Sequence, residues 1–280
     1  MTAALWRPPA TPLLSLVLPL NRKPNWQALL SSKMAQNINA NNISSSKGNK
    51  IRSQLVTGNN PCSGKSQRKL PVLLFDVMDT IVRDPFYHDI PAFFGMSMKE
   101  LIECKHPTAW IEFERGLINE TELAGKFFKD GRLFDLEGLK SCMTRGYSYV
   151  EGVEELLRGL KQNHYEMHAF TNYPIWYELI EEKLKLSTYL SWSFCSCITG
   201  KRKPDPDFYL EVLGSLDVEP ASCVFIDDRM TNVEAATDAG IFGIHFKDVT
   251  SLRQDLTLRG IDFSVNKDNE DPSEIKQNTL

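Results

Sequence analysis

Four short segments of the chain bring carboxylates, a hydroxyl and an ammonium group to the ends of apolar runs. They are Phe75-Asp76-Val77-Met78-Asp79-Thr80, Phe170-Thr171-Asn172, Lys203-Pro204-Asp205-Pro206 and Ile226-Asp227-Asp228. Each segment is weak evidence alone, because an acidic residue after a strand is often a helix cap or a turn former. Their order, and the apolar run that precedes each of them, indicate that the four segments meet at one edge of a sheet.

These side chains fit phosphoryl transfer, in which a nucleophile attacks phosphorus while cations and hydrogen-bond donors neutralise the phosphate oxygens. Asp76 suits the nucleophile, because a carboxylate can form an aspartyl-phosphate that water later hydrolyses. A carboxylate does not approach a phosphate dianion unless charge is neutralised nearby. Asp76, Asp227 and Asp228, together with the backbone carbonyl of Met78 and water, form an all-oxygen ligand set that suits Mg²⁺.

The other polar groups are predicted to hold the phosphate. Thr171 and the backbone N–H groups around Asn172 would donate hydrogen bonds to the phosphate oxygens. Lys203 would add a fixed positive charge to this site and would keep Asp76 ionised. The alternative for Lys203 is an ordinary surface lysine. Three carboxylates at one edge without a cation would repel one another, and this favours the functional interpretation.

Five apolar runs predict buried strands, at residues 70–75, 165–170, 192–198, 222–226 and 241–246. Helical spacing and capping signals between them predict helices at residues 153–161, 176–186, 206–213 and 232–239. Asp205 would cap the third of these helices, and Gly240 would end the fourth. Strands that alternate with helices indicate an α/β fold with a doubly wound parallel sheet.

The connection after the first strand is too long for a simple crossover. Residues 85–147 show four helical patterns, at 96–105, 108–115, 120–129 and 136–144. An insert at this point would lie over the carboxyl ends of the strands, where open α/β sheets bind ligands. We therefore predict a helical cap at 85–147, a core at 69–84 and 148–263, and a disordered tail at 264–280.

The four segments, in this order, resemble the signature of the haloacid dehalogenase-like hydrolase superfamily, over about residues 70–246. The resemblance implies a Rossmann-like core with an inserted helical cap. It also implies Mg²⁺-dependent phosphatase chemistry on Asp76. Residues 75–87, 91–97, 169–177 and 200–206 are similar to one branch, the flavin mononucleotide (FMN) hydrolases of plant chloroplasts. That likeness implies hydrolysis of FMN to riboflavin and phosphate.

One position departs from the superfamily pattern, which is D-x-D-x-T at the first segment. The second Asp of that pattern is the general acid–base, and Met78 stands in its place. The Met78 carbonyl can still face a metal, but its thioether transfers no proton, and a positioned acid–base contributes about 10²–10⁴ in rate. Asp79 or a water molecule would replace the missing acid–base. The alternative interpretation of Asp79 is a turn carboxylate that is bonded to the backbone.

Two other functions follow from this departure. A dehalogenase of the same superfamily needs neither the second Asp nor a metal, although the Asp227-Asp228 pair argues for a metal. A regulatory or non-catalytic protein would keep the site without turnover. The intact set of Asp76, Thr171, Lys203 and Asp228 favours an enzyme.

Charge divides the chain into two parts. Residues 1–75 carry ten Lys or Arg and no Asp or Glu, whereas the remainder carries 22 basic and 36 acidic residues, a balance of −14. A basic, Ser-rich and acid-free leader predicts an organellar transit peptide at residues 1–68, for the chloroplast stroma or alternatively the mitochondrion. An untargeted tail and a secretory signal are the other interpretations. The apolar run at 13–20 is too short to span a bilayer, so no membrane anchor is predicted.

The expected partner is a small phosphate ester, because the −14 balance disfavours nucleic acid. Aromatic residues in or near the predicted cap would stack on a flat ring such as isoalloxazine. The candidates are Phe86, Tyr87, Phe93, Phe94, Trp110, Tyr173 and Trp176. Most of them are expected to be core residues, since cap helices must bury something. Arg229 would reach a phosphate or a ribityl hydroxyl, or form a surface ion pair. The oligomeric state is left open.

Overall fold

A five-stranded parallel sheet organises residues 70–265, the part of the chain that the computed structural model describes. Its strands are β1 Val72–Phe75, β2 Met167–Thr171, β3 Ser191–Cys195, β4 Cys223–Asp227 and β5 Phe242–His245. Their order is β3-β2-β1-β4-β5, which puts β1 at the centre. The prediction of a doubly wound parallel α/β sheet is confirmed.

The register of the sheet aligns the strand ends that carry the polar segments. Phe75 of β1 pairs with Ala169 of β2 on one side and with Ile226 of β4 on the other. The Asp76 N–H group continues this ladder by donating to the Ile226 carbonyl at 2.9 Å. Asp76 therefore leaves the sheet between the ends of β2 and β4.

The sheet is buried on both faces, which explains the continuous apolar runs of its strands. Side chains alternate along β1, so that Leu73 and Phe75 belong to one apolar cluster whereas Val72 and Leu74 belong to another. Six helices of the core cover these faces. They are α7 Val153–Gln162, α8 Tyr177–Leu184, α9 Ser196–Thr199, α10 Pro206–Leu216, α11 Met230–Asp238 and α12 Val249–Leu258.

The long connection after β1 contains six helices. They are α1 Pro85–His88, α2 Ile90–Phe94, α3 Met98–Cys104, α4 Ala109–Glu114, α5 Glu120–Lys126 and α6 Leu136–Gly146. Three phenylalanines of this segment, Phe127, Phe128 and Phe134, pack edge to face or stacked around Phe94, with ring centroids 5.1 to 5.6 Å from it. The segment thus has its own aromatic packing, and its buried residues also join the apolar cluster on one face of the sheet.

The two ends of this segment pair with each other. The Val150 N–H group donates to the Ile81 carbonyl at 2.8 Å, and the Arg83 N–H group donates to the Ser148 carbonyl at 2.9 Å. The chain therefore leaves the core and returns to it through adjacent, hydrogen-bonded segments. The position of the residue that follows, Asp84, is fixed by this pairing and by the start of α1.

Several predicted boundaries differ from the structure. The third strand was predicted to reach residue 198, but it ends at Cys195 and α9 begins at once. The reason lies in Ser196, whose hydroxyl donates to the Glu114 carbonyl and accepts from the Tyr173 N–H group, which turns the chain away from the sheet. The helices α1, α2 and α12 were not predicted, because they are short or have few buried residues on their apolar side.

The predicted leader at residues 1–68 lies outside the described residues, as does the predicted tail beyond residue 265. No helix within residues 70–265 has both the length and the apolar character that crossing a bilayer requires.

Two helical glycines make a matched test of this packing. A methyl group at Gly159 of α7 would lie 2.0 Å from the Phe263 carbonyl oxygen, whereas one at Gly214 of α10 would meet nothing within 4 Å. We expect Gly159→Ala to lower the free energy of unfolding by about 1–3 kcal/mol, because the C-terminal segment must shift. Gly214→Ala should raise it by up to about 1 kcal/mol. Urea denaturation measures both, and equal effects would contradict the packing of residue 263 on α7.

Candidate active site

A buried ammonium group lies at the centre of the sheet edge. Lys203 is 1% exposed. Its Nζ atom donates to Asp76 Oδ1 at 2.8 Å, to Asp227 Oδ2 at 2.6 Å and to the Phe170 carbonyl at 2.6 Å. All three ammonium protons are therefore used. The structure excludes the surface-lysine alternative and connects the ends of β1, β2 and β4 through one side chain.

Burial and neighbouring charges have opposing effects on the pKa values of Lys203 and Asp76. Burial lowers the pKa of Lys203, but Asp227 and Asp76 outweigh it, so the pKa lies above its usual value. Burial raises the pKa of Asp76 to about 7, an effect that Lys203 opposes and the neighbouring Asp227 and Asp228 reinforce. The ammonium group is thus held charged, while Asp76 needs further positive charge to stay ionised at neutral pH.

Asp227 is fully buried, and both of its oxygens are bonded to protein groups. Oδ1 accepts from the Arg229 N–H group at 2.8 Å and from Asn232 at 3.0 Å. Oδ2 accepts from Lys203 and also from the Asn232 amide at 3.0 Å. Asp227 therefore positions Lys203 and the chain that leads into α11. Asn232, on the first turn of α11, was missed by the sequence analysis, although its spacing of five residues from Asp227 was visible.

The predicted phosphate-binding residues take different places. The Asn172 side chain is engaged with the backbone of Lys203: its Oδ1 accepts from the Lys203 N–H group at 2.7 Å, and its Nδ2 donates to the Lys203 carbonyl at 2.8 Å. Thr171 ends β2 fully buried, and its hydroxyl has no hydrogen-bond partner within residues 70–265. Asn172 therefore orients Lys203, while Thr171 has a hydroxyl free to donate. A phosphate-binding role for either remains a prediction.

A cavity of about 130 Å³ opens on these groups. Asp76, Met78, Asn172, Lys203 and Asp228 line it, and so do residues contributed by the helical insert, by the first turn of α11 and by the segments that follow β1, β2, β3 and β4. These are Asp79, Asp84, Glu114, Tyr173, Arg202, Pro204, Arg229, Thr231 and Asn232. The cavity is therefore strongly polar, and its size suits a phosphate group rather than a whole nucleotide.

Three carboxylates in and beside this cavity could hold a cation. Asp76, Asp227 and Asp228 each offer an oxygen within 4.8 Å of the others. Asp228 is half-buried, and burial and then Asp227 raise its pKa. Both oxygens of Asp227 already accept hydrogen bonds from protein groups. Asp76 and Asp228 are therefore better placed than Asp227 to coordinate a cation directly. The predicted ligand set of Asp76, Met78, Asp227 and Asp228 stays a prediction.

The segment after β1 makes a tight turn. Asp79 has a positive φ of 54°, a conformation that Asp and Asn adopt more readily than most residues. Its N–H group donates to the Val82 carbonyl at 2.7 Å, and its Oδ1 accepts from the Asp84 N–H group at 2.9 Å. Asp79 is therefore a turn carboxylate bonded to the backbone, although it also lines the cavity.

Groups at the insert side of the cavity were not found from the sequence. Glu114, at the end of α4, forms an ion pair with Arg202 at 3.0 Å, and both side chains are mostly buried. The Arg115 guanidinium donates to the Gly200 carbonyl at 2.9 Å nearby. These contacts join the insert to the loop that carries Lys203. Acidic residues in an amphipathic helix give no signal of such pairing.

Most of the aromatic candidates form packing contacts, as expected. Trp176 is 1% exposed and its indole donates to Glu120, and Phe93 and Phe94 pack within the insert. The Tyr173 hydroxyl shares a hydrogen bond of 2.7 Å with Tyr147. Among the seven candidates, Tyr173 alone lines the cavity. Tyr87 is 48% exposed and lies close to Arg229, whose pKa is lowered by burial but raised overall by Tyr87 and neighbouring carboxylates.

The fold and the site define an α/β protein with carboxylates and a buried lysine at the carboxyl edge of a parallel sheet, and with a helical insert after the first strand. Residues 72–240 match the family model described as haloacid dehalogenase-like hydrolase. The chain is 67% identical over 201 residues to flavin mononucleotide hydrolase 1 of Arabidopsis thaliana, named as a chloroplast protein, covering 72% of this chain and 82% of the relative. The chain belongs to the haloacid dehalogenase-like hydrolases.

More distant relatives share the fold. A sesquiterpene phosphatase of Aspergillus oryzae is 30% identical over 173 residues, which is 59% of this chain and 84% of the relative. A haloacid dehalogenase family enzyme of Bacteroides thetaiotaomicron, in a mutant form with magnesium and inorganic phosphate, superposes with a TM-score of 0.53 at 18% identity, covering 65% of this chain and 98% of that one. A predicted haloacid dehalogenase-like family hydrolase of Porphyromonas gingivalis superposes with a TM-score of 0.55 at 17% identity, covering 67% of this chain and 98% of that one.

The buried ion pairs make a prediction about stability. Lys203→Met leaves Asp76 and Asp227 buried without their cation, so we expect a loss of about 3–5 kcal/mol in unfolding free energy at pH 8. Asp76 already has a native pKa of about 7 against an ordinary 3.8, and removing Lys203 raises it further. The native state then binds more protons than the unfolded state, so the loss should shrink as pH falls from 8 to 5.

Lys201→Met is the matched control. The Lys201 ammonium is partly exposed and pairs with Glu211 on α10, so its removal should change stability by less than about 1 kcal/mol at either pH. Chemical denaturation at pH 5 and pH 8 gives both differences. A Lys203→Met protein as stable as the wild type at pH 8 would show that the ammonium does not bridge the two carboxylates.

Proposed function

We propose that this chain is a Mg²⁺-dependent hydrolase of phosphate monoesters that acts through an aspartyl-phosphate on Asp76. The observation that carries the proposal is the buried Lys203 ammonium between Asp76 and Asp227, at the mouth of a polar cavity of phosphate size. Membership of the haloacid dehalogenase-like hydrolases supports it.

The described residues fit a magnesium ion. Carboxylate oxygens are the ligands that Mg²⁺ prefers, and three carboxylates face a single lysine here. The pKa values of Asp76 and Asp228 are both raised, mainly by burial. A bound divalent cation would correct this imbalance. Asp76, Asp228 and the Met78 carbonyl would hold it, with Asp227 behind them, and the ion would neutralise charge on the phosphate.

The residues of the chain then divide the work. Asp76 attacks phosphorus with the oxygen that is not bonded to Lys203. The Lys203 ammonium fixes the orientation of Asp76 through its 2.8 Å hydrogen bond and supports its ionised form. The Thr171 hydroxyl, which has no partner within residues 70–265, would donate to a phosphate oxygen. Asn172 holds the Lys203 backbone in place for this geometry.

FMN is the substrate that we assign to this site. The 67% identity with a flavin mononucleotide hydrolase supports it, since that relative is named for this ester. The cavity of about 130 Å³ has room for the phosphate, so the isoalloxazine ring must lie outside it. Arg229 lines the cavity and would donate to the ribityl hydroxyls, and the exposed ring of Tyr87, which lies near Arg229, would offer a stacking surface.

We assign the protein to the chloroplast stroma. The acid-free, basic and Ser-rich composition of residues 1–75 supports an organellar leader, and the Arabidopsis relative is named as a chloroplast protein. The mitochondrion is the alternative compartment.

Phosphate release from a panel of esters tests the activity. The protein without residues 1–68, supplied with Mg²⁺, should release phosphate from FMN faster than from sugar phosphates or nucleotides. Asp76→Asn should release none above background, because an amide does not form the acyl phosphate. Asp255→Asn, an exposed position on α12 with the same change of charge, is the control and should retain full activity.

The panel separates the alternatives. Release of phosphate from other esters but not from FMN would exclude FMN as the substrate and would still support hydrolysis of phosphate monoesters. No release from any ester, with activity gained in Met78→Asp, would mean that the chain keeps the fold and the site but has a non-catalytic role.

Cation binding has a readout that does not depend on activity. A ligand that binds the native state alone adds about 2.7 kcal/mol at a hundredfold excess over its Kd. We therefore expect Mg²⁺ to raise the unfolding temperature of the wild type. Asp228→Asn should abolish that increase, because a carboxylate ligand is lost, while Asp255→Asn should keep it. An equal increase in all three proteins would place the bound ion elsewhere.

A further inference from the structure

The proposed reaction lacks a proton donor at its usual position. An alkoxide such as the ribityl oxygen is a poor leaving group unless it is protonated as it leaves. Met78 cannot supply that proton. Asp79, its neighbour, directs an oxygen to the Asp84 N–H group. The other carboxyl groups of the cavity are therefore candidates beside Asp79.

Asp84 has the position that this role requires. Its side chain is half-buried and lines the same cavity of about 130 Å³ as Asp76 and Lys203. One carboxylate oxygen, Oδ1, caps α1 by accepting from the Phe86 N–H group at 2.8 Å. No ion pair of Asp84 occurs within residues 70–265, so the second oxygen is available to exchange a proton.

The backbone around Asp84 is fixed from three directions. Its own N–H group donates to Asp79 Oδ1, and the preceding Arg83 is bonded to Ser148 where the insert rejoins the core. Pro85 begins α1 immediately after it and is buried. A general acid must be held within hydrogen-bond reach of the leaving oxygen, and this anchoring provides the required rigidity.

We propose that Asp84, at the junction between the core and the helical insert, is the general acid–base of this phosphatase in place of the residue at position 78. The inference rests on the proposed function, because it assigns a role within that same reaction. It adds a catalytic group that the motif pattern of the family does not contain.

The reaction has two steps. As an oxygen of Asp76 bonds to phosphorus and the bond from phosphorus to the ester oxygen breaks, the Asp84 carboxyl passes its proton to that oxygen, giving an alcohol, an aspartyl-phosphate and an Asp84 carboxylate. Asp84 then takes one proton from water while the water oxygen attacks phosphorus. The bond from Asp76 to phosphorus breaks, phosphate leaves, and both carboxyl groups regain their starting forms.

The surroundings of Asp84 support a proton at neutral pH. Burial raises the pKa of Asp84 to about 6, with the Phe86 N–H group lowering it and Asp79 raising it. Charged or titratable groups face it from each neighbouring element. They are Asp79 after β1, Lys105 after α3, Glu114 on α4, Tyr147 after α6, Tyr173 after β2 and Arg229 before α11. A bound phosphate dianion would raise the pKa further.

Besides Asp76 and Asp228, which the proposed reaction already uses, Glu114 lines the cavity and has a raised pKa, which burial causes and Arg202 opposes. Its carboxylate is paired with Arg202 at 3.0 Å, and the Trp110 side chain also lowers its pKa by hydrogen bonding. A carboxylate held by a guanidinium gives up its charge less readily than one without an ion pair. Asp79 and Glu114 are therefore the two matched comparisons for Asp84.

The experiment compares Asp84→Asn, Asp79→Asn and Glu114→Gln on two esters. Asn caps a helix as well as Asp does, so Asp84→Asn should fold, and circular dichroism checks this. With FMN, Asp84→Asn should lose about 10²–10⁴ in kcat. With p-nitrophenyl phosphate, whose leaving group needs no proton, the same variant should release one phenolate per site in a burst and then stall as the phospho-enzyme. The other two variants should show no burst.

Two further readouts separate proton transfer from a structural effect. In the wild type, kcat/KM for FMN should fall as pH rises above about 6, because the acid form of Asp84 is lost there, whereas kcat/KM for the aryl ester should lack that decline. Adding Met78→Asp to Asp84→Asn should restore turnover, since it supplies a carboxyl at the position that the family pattern uses.

The outcomes are distinct. Wild-type-like turnover of FMN by Asp84→Asn, or the burst appearing in Asp79→Asn or Glu114→Gln instead, would overturn this inference and leave the phosphatase function intact. Equal loss on both esters without a burst would make Asp84 a structural residue and also overturn it. A wild type that hydrolyses neither ester would overturn both proposals.

Discussion

One buried ammonium group sets the geometry of this protein. Removing a charged lysine from water costs several kcal/mol, and Lys203 recovers this through three hydrogen bonds, two of them to carboxylates. Those bonds end on the residue that follows β1, on the last residue of β4 and on the carbonyl of the last-but-one residue of β2. The sheet register that aligns the three strands is therefore also what makes the buried charge tolerable. Fold and site depend on the same interaction.

The site is short of positive charge as it stands. One lysine faces three carboxylates, and the consequence is visible in the raised pKa values of Asp76 and Asp228. Such an imbalance destabilises the protein when no cation is present. It also favours binding of a divalent cation, because the cation supplies the missing positive charge. A bound cation in turn favours binding of a phosphate, whose negative charge it attracts. The repulsion among the carboxylates, which destabilises the protein without a cation, is therefore the same property that favours binding of the cation and the phosphate.

The sequence predicted the parallel sheet, the insert and the group at the strand ends, because burial on both faces leaves continuous apolar runs and polar residues mark where each run stops. It missed Asn232 and Glu114, and it gave no sign that the Asn172 side chain holds the Lys203 backbone. These roles depend on contacts between residues 31 or more positions apart, or on the direction of a side chain in a turn. Local spacing does not determine either one.

The position of Asp84 changes how the insert relates to the chemistry. Asp76 and Lys203 are fixed by the sheet, whereas Asp84 is the last residue before α1 and is held by the junction between the core and the insert. The Glu114–Arg202 pair and the bond from Arg115 to Gly200 hold the insert against the loop after β3. A proton donor at this junction makes proton transfer depend on how the insert is seated, which a donor at position 78 would not. Ester cleavage would then proceed fully only when the insert covers the cavity and excludes water.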